Sequence, residues 1–343
     1  MRRTTPDTIR MERNQLMKWG KAAAAGGAAL GAAALYNAAA AMDAAPVENP
    51  LGGEDGTLLW RGHRIAYTRH GFGTPVVLIH GVYAGASAHE WRHIVPALAE
   101  RHTVLTIDLL GFGRSARPAL RYTAALLQAM LGDTIARLVS SPCAVVACSL
   151  SAAQMIALAA RDPRHIAALA LIAPTGVSQL RNAGTAGQIA AQLLIEAPIL
   201  GTTLYNGLTS AASVRRYLEL SYADDRLVTD DWVAAHVRSA RQPGGKHAVG
   251  AFVGGRLNVD VRGPLRRIGS PMLLLWGEQA RQNPIENAHA FRVLTPSAEW
   301  ALISSAGDLP HDEQPDAVNR ILLRFLHRTL GTRPQLRASR VSA

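Results

Sequence analysis

From Leu58 onward the apolar positions fall into short runs rich in β-branched residues, each closed by Gly or Pro. "LLWRG" and "RIAYTRHG" predict a hairpin. They are followed by "PVVLIHG" (75–81), "TVLTIDLLG" (103–111), "CAVVACS" (143–149), "IAALALIAP" (166–174), "PMLLLWGE" (271–278) and "EWALISSAG" (299–307). Continuous apolar strands of this kind are buried on both faces, as in a parallel sheet. Between them the spacing changes to the helical period at 88–100, 123–139, 150–161, 284–293 and 315–329. Strand alternating with helix predicts βαβ units, and so an α/β fold with a mostly parallel sheet flanked by helices.

About ninety residues between Pro174 and Pro271 break the rhythm. Within them "AGQIAAQLLIEAP", "SAASVRRYLELSY" and "TDDWVAAHVRSA" keep helical spacing, which predicts an inserted helical cap over 177–265. The main domain is expected over 57–330, with a basic tail at 331–343.

Ahead of it, a basic stretch (1–21) leads into "AAAAGGAALGAAALYNAAAAM" (22–42), twenty-one residues without a charge, and then into acids at Asp43, Glu48, Glu54 and Asp55. Length and charge asymmetry suit a membrane anchor with the bulk of the chain outside the cytoplasm. The small residues near Ala39 to Ala45 suit a cleaved export signal, and alanine richness by itself suits a soluble helix.

Charge changes the picture less than its total suggests. Of the net +11, residues 1–21 hold +4 and the chain from Arg324 onward holds +5, so only +2 is left for the rest. A basic balance confined to the two ends gives no nucleic-acid surface. Cys143 and Cys148 lie five apart on one predicted strand, point to opposite faces and cannot bridge. No nucleotide, flavin or metal motif occurs, so neither cofactor nor metal is expected. His89 and His93, four apart, lack a third ligand.

The candidate chemistry lies in "VVACSLSAAQMIALAARDP". A buried strand runs into a helix through Ala147-Cys148-Ser149-Leu150-Ser151, the small-x-Ser-x-small form of a nucleophile elbow. With "LIHGVYAGASAHEW" and "TIDLLGFGRSARP" upstream, the chain from about Leu58 to Arg328 resembles the α/β-hydrolase superfamily, of the capped serine-nucleophile type. That resemblance implies an eight-stranded sheet, Ser149 as nucleophile, and backbone N–H groups of Val82 and Leu150 as an oxyanion hole. It also places His80, Gly81 and Tyr83 at the pocket. Relatives of this type cleave esters, amides or carbon–carbon bonds.

Two expected positions depart from the family pattern. The acid after the seventh strand falls at Ala280 in "GEQARQNP". The alternative place for an acid, after the sixth strand, offers only Ala173, Pro174 and Thr175. The histidine of a run like G-H-x-P-H-x-E-x-P falls at Asp308 in "GDLPHDEQP", while His311 and Glu313 match the remainder. A carboxylate is a far weaker base than imidazole near neutrality, and loss of the triad histidine costs on the order of a million-fold. His311 is the candidate substitute base, with His236 and His247 of the cap behind it.

Three functions follow as expectations. The first is a silent or weak member that binds a small lipophilic molecule under the cap. The second is a carboxylic ester hydrolase with an unconventional base. The third is a membrane-tethered interaction protein.

Overall fold

The computed structural model describes residues 6–42 and 45–331. Arg2 and Arg3 at one end, and Arg333, Arg337 and Arg340 at the other, lie outside the described residues.

Eight strands form one sheet in the order β1-β2-β4-β3-β5-β6-β7-β8. They are β1 (Glu54–Trp60), β2 (His63–His70), β3 (Thr74–Ile79), β4 (His102–Ile107), β5 (Cys143–Cys148), β6 (Ile166–Ile172), β7 (Met272–Gly277) and β8 (Glu299–Ile303). β1 pairs with β2 and β2 with β4 antiparallel, and every other pairing is parallel. The first hairpin turns on Arg61 and Gly62, both at positive φ (49° and 81°), the backbone a two-residue hairpin loop demands.

The continuous apolar strands divide between two cores by residue parity. Cys143, Val145 and Ala147 of β5 face one core with Val77 and Ile79, while Ala144, Val146 and Cys148 face the other with Val76 and Leu78. The cysteines are therefore on opposite faces, as their spacing requires, and both are free.

The helices are α1 (Pro6–Met42), α2 (Val95–Ala99), α3 (Ala124–Leu138), α4 (Ser149–Arg161), α5 (Ala186–Glu196), α6 (Ile199–Leu208), α7 (Ala211–Ser221), α8 (Asp230–Ala240), α9 (Gly245–Val253), α10 (Arg262–Leu265), α11 (Ile285–Leu294), α12 (Pro310–Glu313) and α13 (Pro315–Leu330). The single helix expected at 88–100 is instead a 3-10 turn at Ala88–Trp91 followed by α2, whose second position is Pro96. Proline removes a helical N–H and clashes with the preceding turn, so it opens a helix rather than continuing one. The inserted segment holds α5 to α10. Three of these, α5, α7 and α8, have the periodicity read from sequence; α6 and α9 carry glycines at Gly201, Gly207 and Gly250, and α10 is a single turn.

The alanine-rich run is the second half of α1, a helix about 55 Å long at 1.5 Å per residue. Its length meets the membrane-anchor expectation, but its hydropathy does not. Among the described residues no helix is long and apolar enough to cross a membrane, because alanine and glycine bury too little hydrocarbon. α1 instead packs on α6 through Asn37. Its amide donates to Ile199 O (3.0 Å) and accepts from Thr203 Oγ1 (3.3 Å) and Asn206 Nδ2 (3.1 Å).

Candidate active site

Ser149 sits where β5 ends and α4 begins, at φ 52°. A left-handed backbone at a non-glycine residue costs roughly 1–2 kcal/mol, and the fold keeps it by clamping both sides of the turn. Thr175 N–H donates to Ser149 O at 3.3 Å, and Ser151 Oγ donates to His80 O at 2.6 Å. Ser151 thus replaces the usual glycine with a hydroxyl that ties the elbow to the loop after β3. Leu150 is fully buried beneath the elbow.

That loop is held from below. Leu109 N–H donates to His80 Nε2 (3.1 Å), so the ring hydrogen lies on Nδ1, which donates to Gly81 O (2.7 Å). With both nitrogens engaged, His80 is structural. Gly81 N–H donates to the buried Glu90 carboxylate (3.1 and 3.3 Å), and Tyr83 Oη donates to it at 3.0 Å. His311 Nε2 lies 3.3 Å from Glu90 Oε1, a close contact whose angles fall short of a hydrogen bond, and its ring packs on Trp91. Burial pushes the Glu90 pKa up, but His311, His80 and the Gly81 N–H outweigh it and leave the carboxyl below its ordinary value. With the Gly81 N–H spent on Glu90, the Val82 and Leu150 N–H groups have no acceptor among the described residues. They remain the oxyanion donors implied by the resemblance.

A cavity of about 250 Å³ opens over Ser149. Val82, Tyr83, Leu180, Tyr217, Phe252 and Leu309 give it apolar walls, and Thr175, Ser221, Gln282, Asn283 and Asp308 supply polar groups. Tyr217, Ser221 and Phe252 come from the cap. The Thr175 hydroxyl is buried with no partner.

Among the described residues no histidine lines this cavity. His311, the candidate substitute base, is wholly buried on the Glu90 side and does not reach it. His236 stacks on Tyr83 at 5.6 Å, and His247 lines a separate groove against α1. His89 meets Trp232 edge-on and His93 lies 3.5 Å from Asp312, so neither forms a metal pair with the other.

Asp308 does line the cavity, but its carboxylate is turned into the loop after β7. Oδ2 accepts the N–H groups of Arg281 (3.2 Å) and Gln282 (3.0 Å), and Oδ1 accepts that of Asn283 (2.8 Å). Burial raises its pKa above the ordinary carboxyl value, against the pull of these three donors. Ala280 is buried within the same loop and does not reach the cavity. The loop is closed further by Asn283 Nδ2, which donates to Ala173 O at 2.8 Å.

Glu90 and the Thr175 hydroxyl take places in the site that the sequence reading did not assign to them. An acid amid the apolar "SAHEWRHIVPAL" was the available signal for Glu90. Glu90, Cys148 and His311 bring possible metal-ligating atoms within 4.8 Å of one another. The Glu90 oxygens already serve Gly81, Tyr83 and His311. Burial beside Glu90 pushes the Cys148 thiol well up, into the protonated state that binds metal poorly. This donor set does not fit an ion as it stands.

The chain is 27% identical over 272 residues to the dihydrolipoyllysine-residue acetyltransferase component of the acetoin cleaving system of Cupriavidus necator, covering 77% of this chain and 67% of that one. It is 26% identical over 268 residues to the 2-hydroxy-6-oxo-6-(2'-aminophenyl)hexa-2,4-dienoic acid hydrolase of Metapseudomonas resinovorans, covering 76% and 87%. A bacterial membrane phospholipase A superposes with a TM-score of 0.64 at 22% identity, covering 94% of this chain and 100% of that one. Coverage that wide takes in part of α1. The alpha/beta hydrolase fold pattern matches residues 74–315, the span that holds the elbow, the oxyanion loop and the Asp308 turn, and the chain belongs to that family.

Proposed function

We propose that this chain binds a small ligand with an apolar body and one polar end in the cavity over Ser149, without efficient hydrolysis. The observation that carries this reading is the Asp308 carboxylate, committed to three backbone N–H groups and so unavailable to Ser149. A serine hydroxyl needs its proton removed as it attacks, and no group of suitable pKa stands beside it. The ligand's polar end fits between Ser149 and the unpartnered Thr175 hydroxyl, and its body fits against Phe252 and Leu180. The test is labelling with a fluorophosphonate probe. The native protein and Ser149→Ala are expected to stay unlabelled and Asp308→His to gain labelling at Ser149; labelling of native Ser149 would sink the silent reading.

A second reading, a weak carboxylic ester hydrolase, is supported by the strained Ser149 backbone and the free Val82 and Leu150 N–H groups. Ser149-dependent turnover on an ester panel would favour it.

A third reading is membrane association outside the cytoplasm. Leu193, Leu194, Leu200 and Leu208 of α5 and α6 are all more than half exposed, beside the docked α1. An apolar face of this kind suits a lipid surface. The similar membrane phospholipase A, matched across part of α1, points the same way. Sedimentation with lipid vesicles, lost on Leu193→Glu/Leu200→Glu, tests it.

A further inference from the structure

A second cavity lies apart from the one over Ser149. It is a groove of about 590 Å³ on the cap, between α7 and α8, and the two cavities share no lining residue. α7 contributes Ala211, Ala212 and Arg215; α8 contributes Asp230, Val233, Ala234, Val237, Arg238 and, just past its end, Arg241. Positions 230, 234, 237, 238 and 241 recur at helical spacing, so one continuous face of α8 forms a wall. The floor is alanine and valine.

The charges are unequal. Arg215 is paired with Asp230, the one acid in the groove. Several exposed arginines elsewhere have acid partners, among them Arg164 with Asp162, Arg226 with Asp224 and Arg262 with Asp260. Arg238 and Arg241 have none among the described residues, and the Nε–H of Arg241 is buried without an acceptor. Cations near a helix C-terminus are favoured by the macrodipole, which accounts for their sign. Both arginines lie on the groove wall with no acid beside them, which leaves the end of the groove near Val237 positively charged.

We infer that this groove binds a single-chain anionic amphiphile of the alkyl carboxylate class, with its carboxylate on Arg238 and Arg241 and its chain along Val237, Ala234 and Val233. A guanidinium pair matches a carboxylate in both charge and donor geometry. The wall from Val233 to Arg241 is about 12 Å long at 1.5 Å per residue, and each methylene buried there strengthens binding.

The probe is dodecanoate below its micelle concentration, titrated calorimetrically into the full chain, with dodecan-1-ol and acetate as comparison ligands. Dodecanoate is expected to bind and the other two to bind at least about tenfold more weakly, the loss of a charge-assisted contact or of the chain. Arg238→Gln/Arg241→Gln is expected to weaken dodecanoate by at least about tenfold. Ala234→Trp, which fills the groove and keeps both charges, is expected to abolish binding; circular dichroism checks that each variant is folded. Equal affinity for dodecan-1-ol, or unchanged dodecanoate binding in both variants, overturns the inference; the latter would place the ligand in the Ser149 cavity.

Discussion

Asn283 donates its backbone N–H to the Asp308 carboxylate across 2.8 Å, joining the loop after β7 to the turn after β8. In a serine hydrolase these two segments would carry the acid and the histidine, and their side chains would meet between them. Here the Asp308 side chain of one segment closes on the backbone of the other and holds the two together.

Asp308→Ala should therefore cost stability, because three N–H groups lose their acceptor at once. A loss of about 1–2 kcal/mol is expected, chiefly from the Asn283 N–H, since Arg281 and Gln282 are exposed and water can reach their N–H groups. Urea unfolding of the variant measures it; an unchanged midpoint would mean that water replaces the carboxylate without penalty.

Glu90→Gln should weaken the floor of the oxyanion loop. The carboxylate accepts from Gly81 and Tyr83 and faces His311, whereas an amide must turn its NH₂ toward one of these donors. Leaving one of these buried donors without its acceptor costs about 1–3 kcal/mol. The measurement is thermal unfolding of the variant; an unchanged midpoint would mean that the amide satisfies both donors.

Burial holds the His236 pKa down from 6.5 to about 4. As pH falls through 6.5 the unfolded chain takes up a proton that folded His236 refuses, so stability declines from there until about pH 4 and then levels. His89, also held at about 4 by burial, adds in the same direction. The His236 share is at most on the order of 3 kcal/mol. Urea midpoints at pH 7 and pH 4.5 should differ less in His236→Gln than in the native protein; equal differences would refute the assignment.

Asn37→Ala should free α1 from α6 without disturbing the sheet. Three hydrogen bonds converge on that one side chain in a stretch that is otherwise alanine, glycine, leucine and tyrosine. Amide hydrogen exchange should rise along 30–42 while the β3, β5 and β6 amides stay protected. Faster exchange throughout the domain would instead make α1 part of the global fold.

The sequence by itself determined the architecture. Short apolar runs alternating with helical spacing, and a serine between a buried strand and a helix, are local patterns, and local backbone geometry enforces them. Parity along "CAVVAC" placed Cys143 and Cys148 on opposite faces for the same reason. The tertiary structure alone decided which groups face Ser149. Position along the chain placed Asp308 at the right turn, but not the direction of its carboxylate, which is set by N–H groups 25 to 27 residues away. Glu90 and His311 meet across more than two hundred residues of chain, and Asn37 finds α6 from a helix whose own pattern reads as featureless. Hydrogen-bond satisfaction in a buried site depends on what the fold brings together, and spacing along the chain does not encode it.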